Sequence, residues 1–292
     1  MLRPYRSVLY IPGSKERALE KARDLAVDAI IFDLEDAVAP DEKAAARATL
    51  ARFLAEVDYG PRARIVRING FDTEWGRADA AAFADHPGVD AILVPKVNGP
   101  ADLDAVAAVT GEMPLWAMME TALGMLNAAA IAAHPRLEGM VMGTNDLAKE
   151  LGSRFRADRM PLMTGLGLCL LAAKASGRVI VDGVYNAFKD EAGLAAECAQ
   201  GRDMGFDGKT LIHPAQVEIT NEAFAPSEAE VDLARRQIEA FNAAQAQGQG
   251  VAVLDGRIVE NLHVVTAQAV LAKMEAIRAQ AMTAERIAVG AE

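Results

Sequence analysis

Charged side chains recur where short apolar runs of the sequence end. Three carboxylates fall within residues 33–36, and Arg67, Glu120 and Asp146 lie at the ends of later runs. A charge at the end of a buried strand is costly to desolvate unless it binds a metal, a ligand or another charge. Because the carboxyl ends of parallel strands meet at one edge, the recurrence predicts a functional site there.

Glu120 and Asp146 end consecutive apolar runs, so we expect their carboxylates to converge on one point. Two carboxylate ligands, with the other positions filled by water and substrate, are a usual environment of Mg²⁺. Cys and His clusters with zinc spacing do not occur in the sequence. The alternative is that both residues cap helices or form ion pairs, and the spacing leaves this open.

The elements that must position these residues follow a repeating order. Apolar runs predict strands at residues 7–11, 29–34, 64–68, 91–97, 115–119, 139–142, 179–184 and 209–212. Helical spacing between them predicts helices that include residues 15–26, 41–56, 101–109, 121–133, 162–176 and 190–204. Eight strand–helix repeats favour a (β/α)8 TIM barrel, with an open doubly wound sheet as the alternative because periodicity alone cannot show closure.

After Phe224 the sequence no longer follows the strand–helix repeat. Ser227 is a capping residue for a helix that runs to about residue 246, and Asp255-Gly256 marks a hairpin turn within residues 251–259. A last helix is predicted over residues 264–281. We therefore predict a catalytic barrel domain at residues 1–224 and a C-terminal helical lid and oligomerisation segment at residues 225–292.

Composition narrows the class of protein. The net charge of −11, from 30 basic and 41 acidic residues, disfavours nucleic acid and membrane surfaces as partners. Cys169 and Cys198 are too few for a disulfide scaffold and suit a reducing compartment. The N-terminal residues do not resemble a secretory signal, and the uncharged runs are shorter than a spanning helix requires. We expect a cytoplasmic protein.

Several fragments together resemble the citrate lyase β-subunit and malyl-CoA lyase family. They occur in the family's order at residues 6–14, 32–38, 66–69, 94–96, 119–121, 143–147 and 212–214. Residues 182–186, 209–216 and the tail are most similar to the (3S)-malyl-CoA thioesterase branch. The resemblance implies a TIM barrel, homotrimers or homohexamers, and a C-terminal segment that closes over the site. It also implies Mg²⁺, with Mn²⁺ as a substitute, and the CoA thioester of a small 2-hydroxy dicarboxylic acid.

The resemblance implies roles for residues around the acyl group. Glu120 and Asp146 would be the metal ligands, with Glu120 also next to the substrate, and Arg67 would contact the acyl group and act in catalysis. Asp36, together with Glu35, would hold Arg67 or hydrogen-bond to water on the metal, and an inert ion pair is the alternative.

Further positions match family contacts to the rest of the substrate. Tyr10, Lys15 and Lys21 correspond to positions around the CoA moiety, although two solvated helix lysines would give the same pattern. Asn145, Ile212 and His213 correspond to substrate contacts, and a structural hydrogen bond is the alternative for His213.

Glu260 occupies the place where the lyase pattern has a C-terminal aspartate. Its side chain is longer by one methylene, and a misplacement of about 1 Å can cost roughly 10²-fold in catalysis. We therefore expect Glu260 to act on water in thioester hydrolysis rather than as the lyase acid, and an ordinary surface glutamate is the alternative.

Three functions remain open on these observations. The first is Mg²⁺-dependent hydrolysis of (3S)-malyl-CoA to malate and CoA. The second is a malyl-CoA or β-methylmalyl-CoA lyase that cleaves a carbon–carbon bond. The third is a citryl-thioester lyase subunit of a larger assembly that resembles citrate lyase.

Overall fold

The computed structural model describes residues 3–290, and the side chains of residues 3–284, as two compact units. Tyr5–Phe224 form the first unit. Residues 225–290, together with residues 3–4, form the second unit. Among the described residues, no helix combines the length and the apolar character that a membrane span requires.

Eight parallel strands close into a barrel, which confirms the predicted (β/α)8 fold and excludes the open sheet. In chain order the strands are β1 (Ser7–Pro12), β2 (Ala29–Asp33), β3 (Ala63–Arg67), β4 (Ala91–Val94), β5 (Leu115–Met119), β6 (Leu137–Met142), β7 (Val179–Asp182) and β8 (Gly208–Leu211). Closure is made by β1 and β8, which pair with Ser7 opposite Lys209.

Helices follow the strands and cover the outside of the barrel. They are α1 (Glu16–Ala22), α2 (Lys43–Glu56), α3 (Gly76–Phe83), α4 (Pro100–Thr110), α5 (Ala122–Leu126), α6 (Ala128–Ala132), α7 (Thr144–Glu150), α8 (Met163–Ala175), α9 (Glu191–Met204) and α10 (Val217–Phe224). Short 3-10 turns precede three of them, at Pro40–Glu42, Met160–Leu162 and Pro214–Gln216.

Alternation along the strands separates two apolar cores. One core packs the outer strand faces against the helices, with Ile30 and Phe32 as its members from β2. The other fills the barrel interior, with Ala29 and Ile31 of the same strand. Because strand side chains alternate between faces, residues two positions beyond the interior core also face inward, at the end where the strands terminate.

The predicted element boundaries need a few corrections. The helix predicted over residues 121–133 is two helices that meet at Asn127, whose Nδ2 donates to the carbonyl of Asn98 at 2.7 Å. The helix predicted over residues 15–26 ends at Ala22. The last helix is longer than predicted, because it begins at Asn261 and reaches Gly290.

The C-terminal unit consists of α11 (Glu228–Ala246), the hairpin strands β9 (Ala252–Leu254) and β10 (Arg257–Val259), and α12 (Asn261–Gly290). Ser227 caps α11 in a reciprocal capping box with Glu230. Asp255 and Gly256 both have positive φ, at 48° and 74°, as a tight hairpin turn of primed type requires.

Candidate active site

A cavity of about 350 Å³ opens at the end of the barrel where the strands terminate. Its wall comes from the ends of several strands and from the loops that follow them. The residues predicted for the site that line this cavity are Tyr10, Asp36, Arg67, Glu120, Asn145, Asp146 and Ile212. The structure thus brings together side chains that lie up to 202 positions apart in the sequence, between Tyr10 and Ile212.

Arg67, at the end of β3, is held by a set of acidic side chains. Its Nε and Nη2 donate to Oδ1 and Oδ2 of Asp33 at 2.8 and 2.7 Å. Its Nη1 lies 2.8 Å from Glu35 Oε2 and 3.3 Å from Asp36 Oδ2. A guanidinium has five N–H groups, and that of Arg67 donates three hydrogen bonds, two to Asp33 and one to Asp36, whereas Glu35 Oε2 accepts no hydrogen bond in the described part of the chain. One hydrogen on each of Nη1 and Nη2 therefore has no acceptor among the described residues and can donate to a ligand.

The surroundings of Arg67 and Tyr10 favour one charge state for each side chain. Burial by itself lowers the pKa of Arg67, but the charge of Asp33 raises it well above its usual value. The Tyr10 ring lies 5.1 Å from the guanidinium, and burial raises the pKa of its phenol. The Tyr10 hydroxyl has the sulfur of Met118 as a weak acceptor at 3.5 Å. A cationic guanidinium and a neutral phenol therefore face the cavity together.

Asp33 is the principal partner of Arg67, a role that the sequence analysis gave to Glu35 and Asp36. Asp33 lies directly opposite Arg67 in the β2–β3 register. It also accepts the backbone N–H groups of Glu35 and Ala37 and so holds the loop after β2. Its inward direction could have been predicted, because it is two positions beyond the interior residue Ile31.

Lys96 connects Arg67 to Glu120; it lies in the matching fragment at residues 94–96, but the sequence analysis assigned no role to it. Its Nζ lies 2.6 Å from Glu35 Oε1, and its backbone N–H donates to Glu120 Oε1 at 2.8 Å. Lys96 has a φ of 50°, a left-handed conformation that is uncommon for a residue with a side chain. Burial raises the pKa of Glu35, and the charge of Arg67 opposes this rise.

Glu120 follows β5 and is almost fully buried, at 1% exposure. Burial, with the nearby charge of Glu35, raises its pKa to about 7. Gly143 packs against it so closely that a Cβ at residue 143 would overlap the Glu120 side chain. The absence of a side chain at residue 143 therefore makes the space in which the carboxylate lies.

Asp146 lies in the first turn of α7, immediately after the Gly143 junction. It is half-buried and lines the same cavity as Glu120. Its neighbour Asn145 exchanges two amide hydrogen bonds with Asn186, at 2.8 and 3.2 Å. This pair ties the start of α7 to the loop after β7.

Glu120 and Asp146 line one cavity, and carboxylate oxygens are donors that a hard divalent cation prefers. In the described part of the chain, no group of three or more His, Cys, Asp or Glu side chains is arranged to hold a metal. A cation at Glu120 and Asp146 would thus have two protein carboxylates and would complete its shell with water or substrate oxygens, as Mg²⁺ often does.

Four predicted residues lie outside the lining of this cavity. Lys15 and Lys21 are exposed, just before and near the end of α1. His213 accepts the N–H of Ala215 at 3.1 Å through Nδ1 and stacks on Phe188 at 4.5 Å, as a capping residue does. Glu260 is exposed in the C-terminal unit. Their proposed roles stay predictions.

Asp182 also ends a strand, β7, but it does not line the cavity. Val181 belongs to the interior core, so its neighbour Asp182 faces the helices. There, among the described residues, Asp182 forms ion pairs with Arg159 at 2.7 Å and with the fully buried Lys209 at 3.3 Å. These ion pairs connect β7 and β8 on the side of the strands that faces the helices.

The comparisons with known proteins agree on the family of this chain. Residues 6–214 match the model of the HpcH/HpaI aldolase/citrate lyase family. The chain is 73% identical, over 276 residues, to a (3S)-malyl-CoA thioesterase of Cereibacter sphaeroides, which covers 94% of this chain and 96% of that protein.

More distant relatives cover nearly the same span. An L-malyl-CoA/beta-methylmalyl-CoA lyase of Cereibacter sphaeroides is 33% identical over 95% of this chain and 96% of its own length. Among solved structures, protein CitE of Mycobacterium tuberculosis in complex with magnesium, acetoacetate and coenzyme A matches with a TM-score of 0.79 and 31% identity. That match covers 94% of this chain and 100% of the other.

Proposed function

This chain belongs to the HpcH/HpaI aldolase/citrate lyase family, and we propose that it hydrolyses (3S)-malyl-CoA to malate and CoA. Its membership confirms the resemblance that the sequence motifs indicated. The observation that carries the proposal is the 73% identity to a (3S)-malyl-CoA thioesterase over 94% of the chain. The barrel and its cavity of cationic, phenolic and carboxylate groups agree with a CoA thioester as substrate.

We propose that Glu120 and Asp146 hold the divalent cation. Magnesium is present in the complex of the related Mycobacterium tuberculosis protein, and the hard oxygen donors of the two residues support the same ion here. When bound, the cation would act as a Lewis acid on the acyl oxygens. We propose Mn²⁺ as a working substitute, because it prefers the same oxygen ligands.

Arg67 then binds and polarises the acyl group. Its guanidinium is fixed by Asp33 and Glu35, so it needs no rearrangement when negative charge develops on the thioester oxygen. Its remaining Nη2 hydrogen is the group that we assign to this contact. Asp36 holds the outer nitrogen Nη1, which keeps the guanidinium plane in place.

We propose that Glu260 positions and deprotonates the attacking water. The carboxylate would take a proton from water as the oxygen–carbon bond forms, and would return that proton to the sulfur as the carbon–sulfur bond breaks and the CoA thiol leaves. The extra methylene relative to the aspartate of the lyase pattern supports hydrolysis over carbon–carbon cleavage.

Contacts to the rest of the substrate complete the proposal. Lys15 and Lys21 are exposed cations suited to the CoA phosphates. Tyr10 would then contact the thioester end of the CoA moiety. Asn145 and Ile212 line the acyl cavity, and His213 borders it through its neighbour Ile212.

Product analysis tests the proposal against the lyase alternative, which the 33% identical malyl-CoA lyase favours. Purified protein is incubated with (3S)-malyl-CoA and Mg²⁺, and the products are separated by liquid chromatography. Malate with free CoA supports hydrolysis. Glyoxylate with acetyl-CoA would establish the lyase instead.

We further propose a cytoplasmic homotrimer or homohexamer that acts on free CoA esters. The two cysteines are buried and free, which suits a reducing compartment. Gel filtration of the active protein tests the assembly. Activity only in the presence of a separate acyl-carrier subunit would favour the citrate lyase type of assembly.

A further inference from the structure

A second cavity, of about 450 Å³, adjoins the acyl cavity on the side of β6 and β7. The two cavities share Thr144, Asn145 and Val184 in their walls. The paired amides of Asn145 and Asn186 lie where they meet. Nothing in the proposed hydrolysis uses this second cavity.

The wall of the second cavity carries net positive charge in a chain with a net charge of −11. Arg154, Arg156 and Arg159 line it, against the single carboxylate of Glu197. Glu197 is neutralised by Lys209, whose Nζ lies 2.6 Å from its Oε1. Three arginine side chains thus line this cavity, two of which also pair with a carboxylate: Arg156 with Asp158, and Arg159 with Asp182.

Arg154 and Arg156 are exposed, so a ligand in the cavity can contact them. Arg154 is exposed and makes no hydrogen bond or ion pair with the described residues. Arg156 pairs with Asp158 through two contacts at 2.9 and 2.7 Å. Both partners of that pair are about half exposed, so water screens the pair and a bound anion can compete for it.

Arg159 supplies a donor without a partner. Its Nη1 donates to both oxygens of Asp182 and its Nε donates to Gln200, but its buried Nη2 has no hydrogen-bond partner. A buried N–H group without a partner is uncommon because its desolvation is not repaid. Arg159 also has a φ of 53°, a left-handed conformation. A fixed cation with an unused N–H is typical of anion sites.

We propose that this second cavity binds an oxyanion, a carboxylate or a phosphate, beside the acyl site. The chemistry is the same whether the anion is a free dicarboxylic acid, inorganic phosphate or a phosphate of CoA. Guanidinium groups bind planar and tetrahedral oxyanions through paired N–H contacts. The binding itself does not depend on the proposed hydrolysis, which guides only the choice of probes.

Isothermal titration calorimetry tests the proposal without turnover. The full chain, with EDTA present to remove metal from the acyl site, is titrated with malate, inorganic phosphate and CoA in separate runs. Arg154→Ala is the test variant, because this exposed side chain has no structural partner to lose. Arg235→Ala, at an exposed position of α11, is the matched control.

We expect saturable binding of at least one probe to wild type, weakened by about tenfold or more in Arg154→Ala and unchanged in Arg235→Ala. Binding of malate or phosphate identifies a site for free anions. Arg154-dependent binding of CoA alone identifies the phosphates of the substrate as the anion. The proposal is overturned if no probe saturates, or if the two variants bind equally. Failure of thioester hydrolysis would leave this readout intact.

Discussion

Arg67 and Glu120 are joined through Glu35 and Lys96 by a series of short contacts. Arg67 pairs with Glu35, Glu35 with the Nζ of Lys96, and the N–H of Lys96 with Glu120. Each charged group is thereby fixed before any ligand arrives. Such preorganised groups need little rearrangement in the transition state, which is where electrostatic catalysis gains its advantage.

The bidentate contact between Arg67 and Asp33 is expected to be essential for turnover. Arg67→Lys should lower kcat by about 10²-fold or more, because one ammonium cannot reproduce the planar fork. Arg64→Lys is the control, since Arg64 makes a similar fork with Asp90 at 3.1 Å for both contacts and lies outside the cavity. Steady-state kinetics on both variants checks this. Equal effects in the two variants would remove Arg67 from the mechanism.

Lys96 should affect turnover more than metal binding. Lys96→Met removes the charge that pairs with Glu35 but keeps the backbone N–H that donates to Glu120. We expect kcat/KM to fall by roughly tenfold while the Mg²⁺ dissociation constant changes by less than about twofold, because the lost contact is half exposed. Calorimetry and kinetics measure the two quantities, and Lys96→Arg should restore part of the activity. Loss of Mg²⁺ binding with normal turnover would contradict this role.

The polar residues at the strand ends could be identified from the sequence, but the contacts between their side chains were harder to predict. Glu120 and Asp146 stand out because each ends an apolar run. Asp33 and Asp182 needed the strand parity as well, since one faces inward and the other outward. The link between Lys96 and Glu120 could not be predicted, because it depends on a left-handed backbone conformation that sequence patterns do not reveal.

At the scale of elements, the neighbouring strands β5 and β6 position Glu120 and Asp146, the two carboxylates that we propose as metal ligands. Two glycines, one within β6 and one directly after it, contact side chains of β5 and of the residue that follows β5. Gly139 faces the indole of Trp116 inside the barrel, and Gly143 faces Glu120 at its mouth. The register between the strands also shifts near Trp116. The strands can approach there because residues 139 and 143 have no side chain.

Gly139→Ala should destabilise the barrel. A Cβ at residue 139 would lie 2.5 Å from Trp116 Cδ2, so the buried indole would have to move. We expect the free energy of unfolding to fall by about 1–3 kcal/mol, as for other overpacked cores.

Gly167→Ala is the matched control for this strand glycine. A Cβ there meets no atom within 4 Å, and residue 167 lies inside α8. Because alanine is the better helix former, we expect a gain of about 0.5–1 kcal/mol. Urea denaturation of the two variants checks both signs. A stable Gly139→Ala variant would show that the indole repacks freely.

The succession of elements was predictable because apolar strands and alanine-rich helices have distinct periods. Details that depend on tertiary contacts were not. The helix predicted over residues 121–133 is divided where Asn127 donates to the Asn98 carbonyl, a contact between residues 29 positions apart. Closure of the sheet was also beyond periodicity, since it rests on the pairing of β1 with β8.

At the scale of the whole molecule, the barrel unit carries the acyl cavity and the C-terminal unit carries Glu260. The barrel supplies the two carboxylates that we propose as metal ligands, the guanidinium and the phenol. The proposed base for water is therefore the one catalytic group assigned outside it. This division predicts that changes at Glu260 alter catalysis without altering metal binding.

Glu260→Gln should separate the two functions. The amide cannot accept a proton, so we expect kcat for hydrolysis to fall by about 10²–10⁴-fold. The Mg²⁺ dissociation constant should not change, because Glu120 and Asp146 are untouched. Kinetics and calorimetry on the same preparation check this. Unchanged hydrolysis would show that Glu260 is an ordinary surface glutamate with no role in catalysis.

The most direct test of the central claim is a reaction of (3S)-malyl-CoA with the purified protein and Mg²⁺ in ¹⁸O-labelled water. Mass spectrometry then follows the acyl product, and EDTA serves as the control. Metal-dependent hydrolysis predicts free malate with one ¹⁸O atom in its new carboxylate, an equal amount of CoA thiol, and no reaction in EDTA. Glyoxylate with acetyl-CoA, or full turnover in EDTA, would contradict the account.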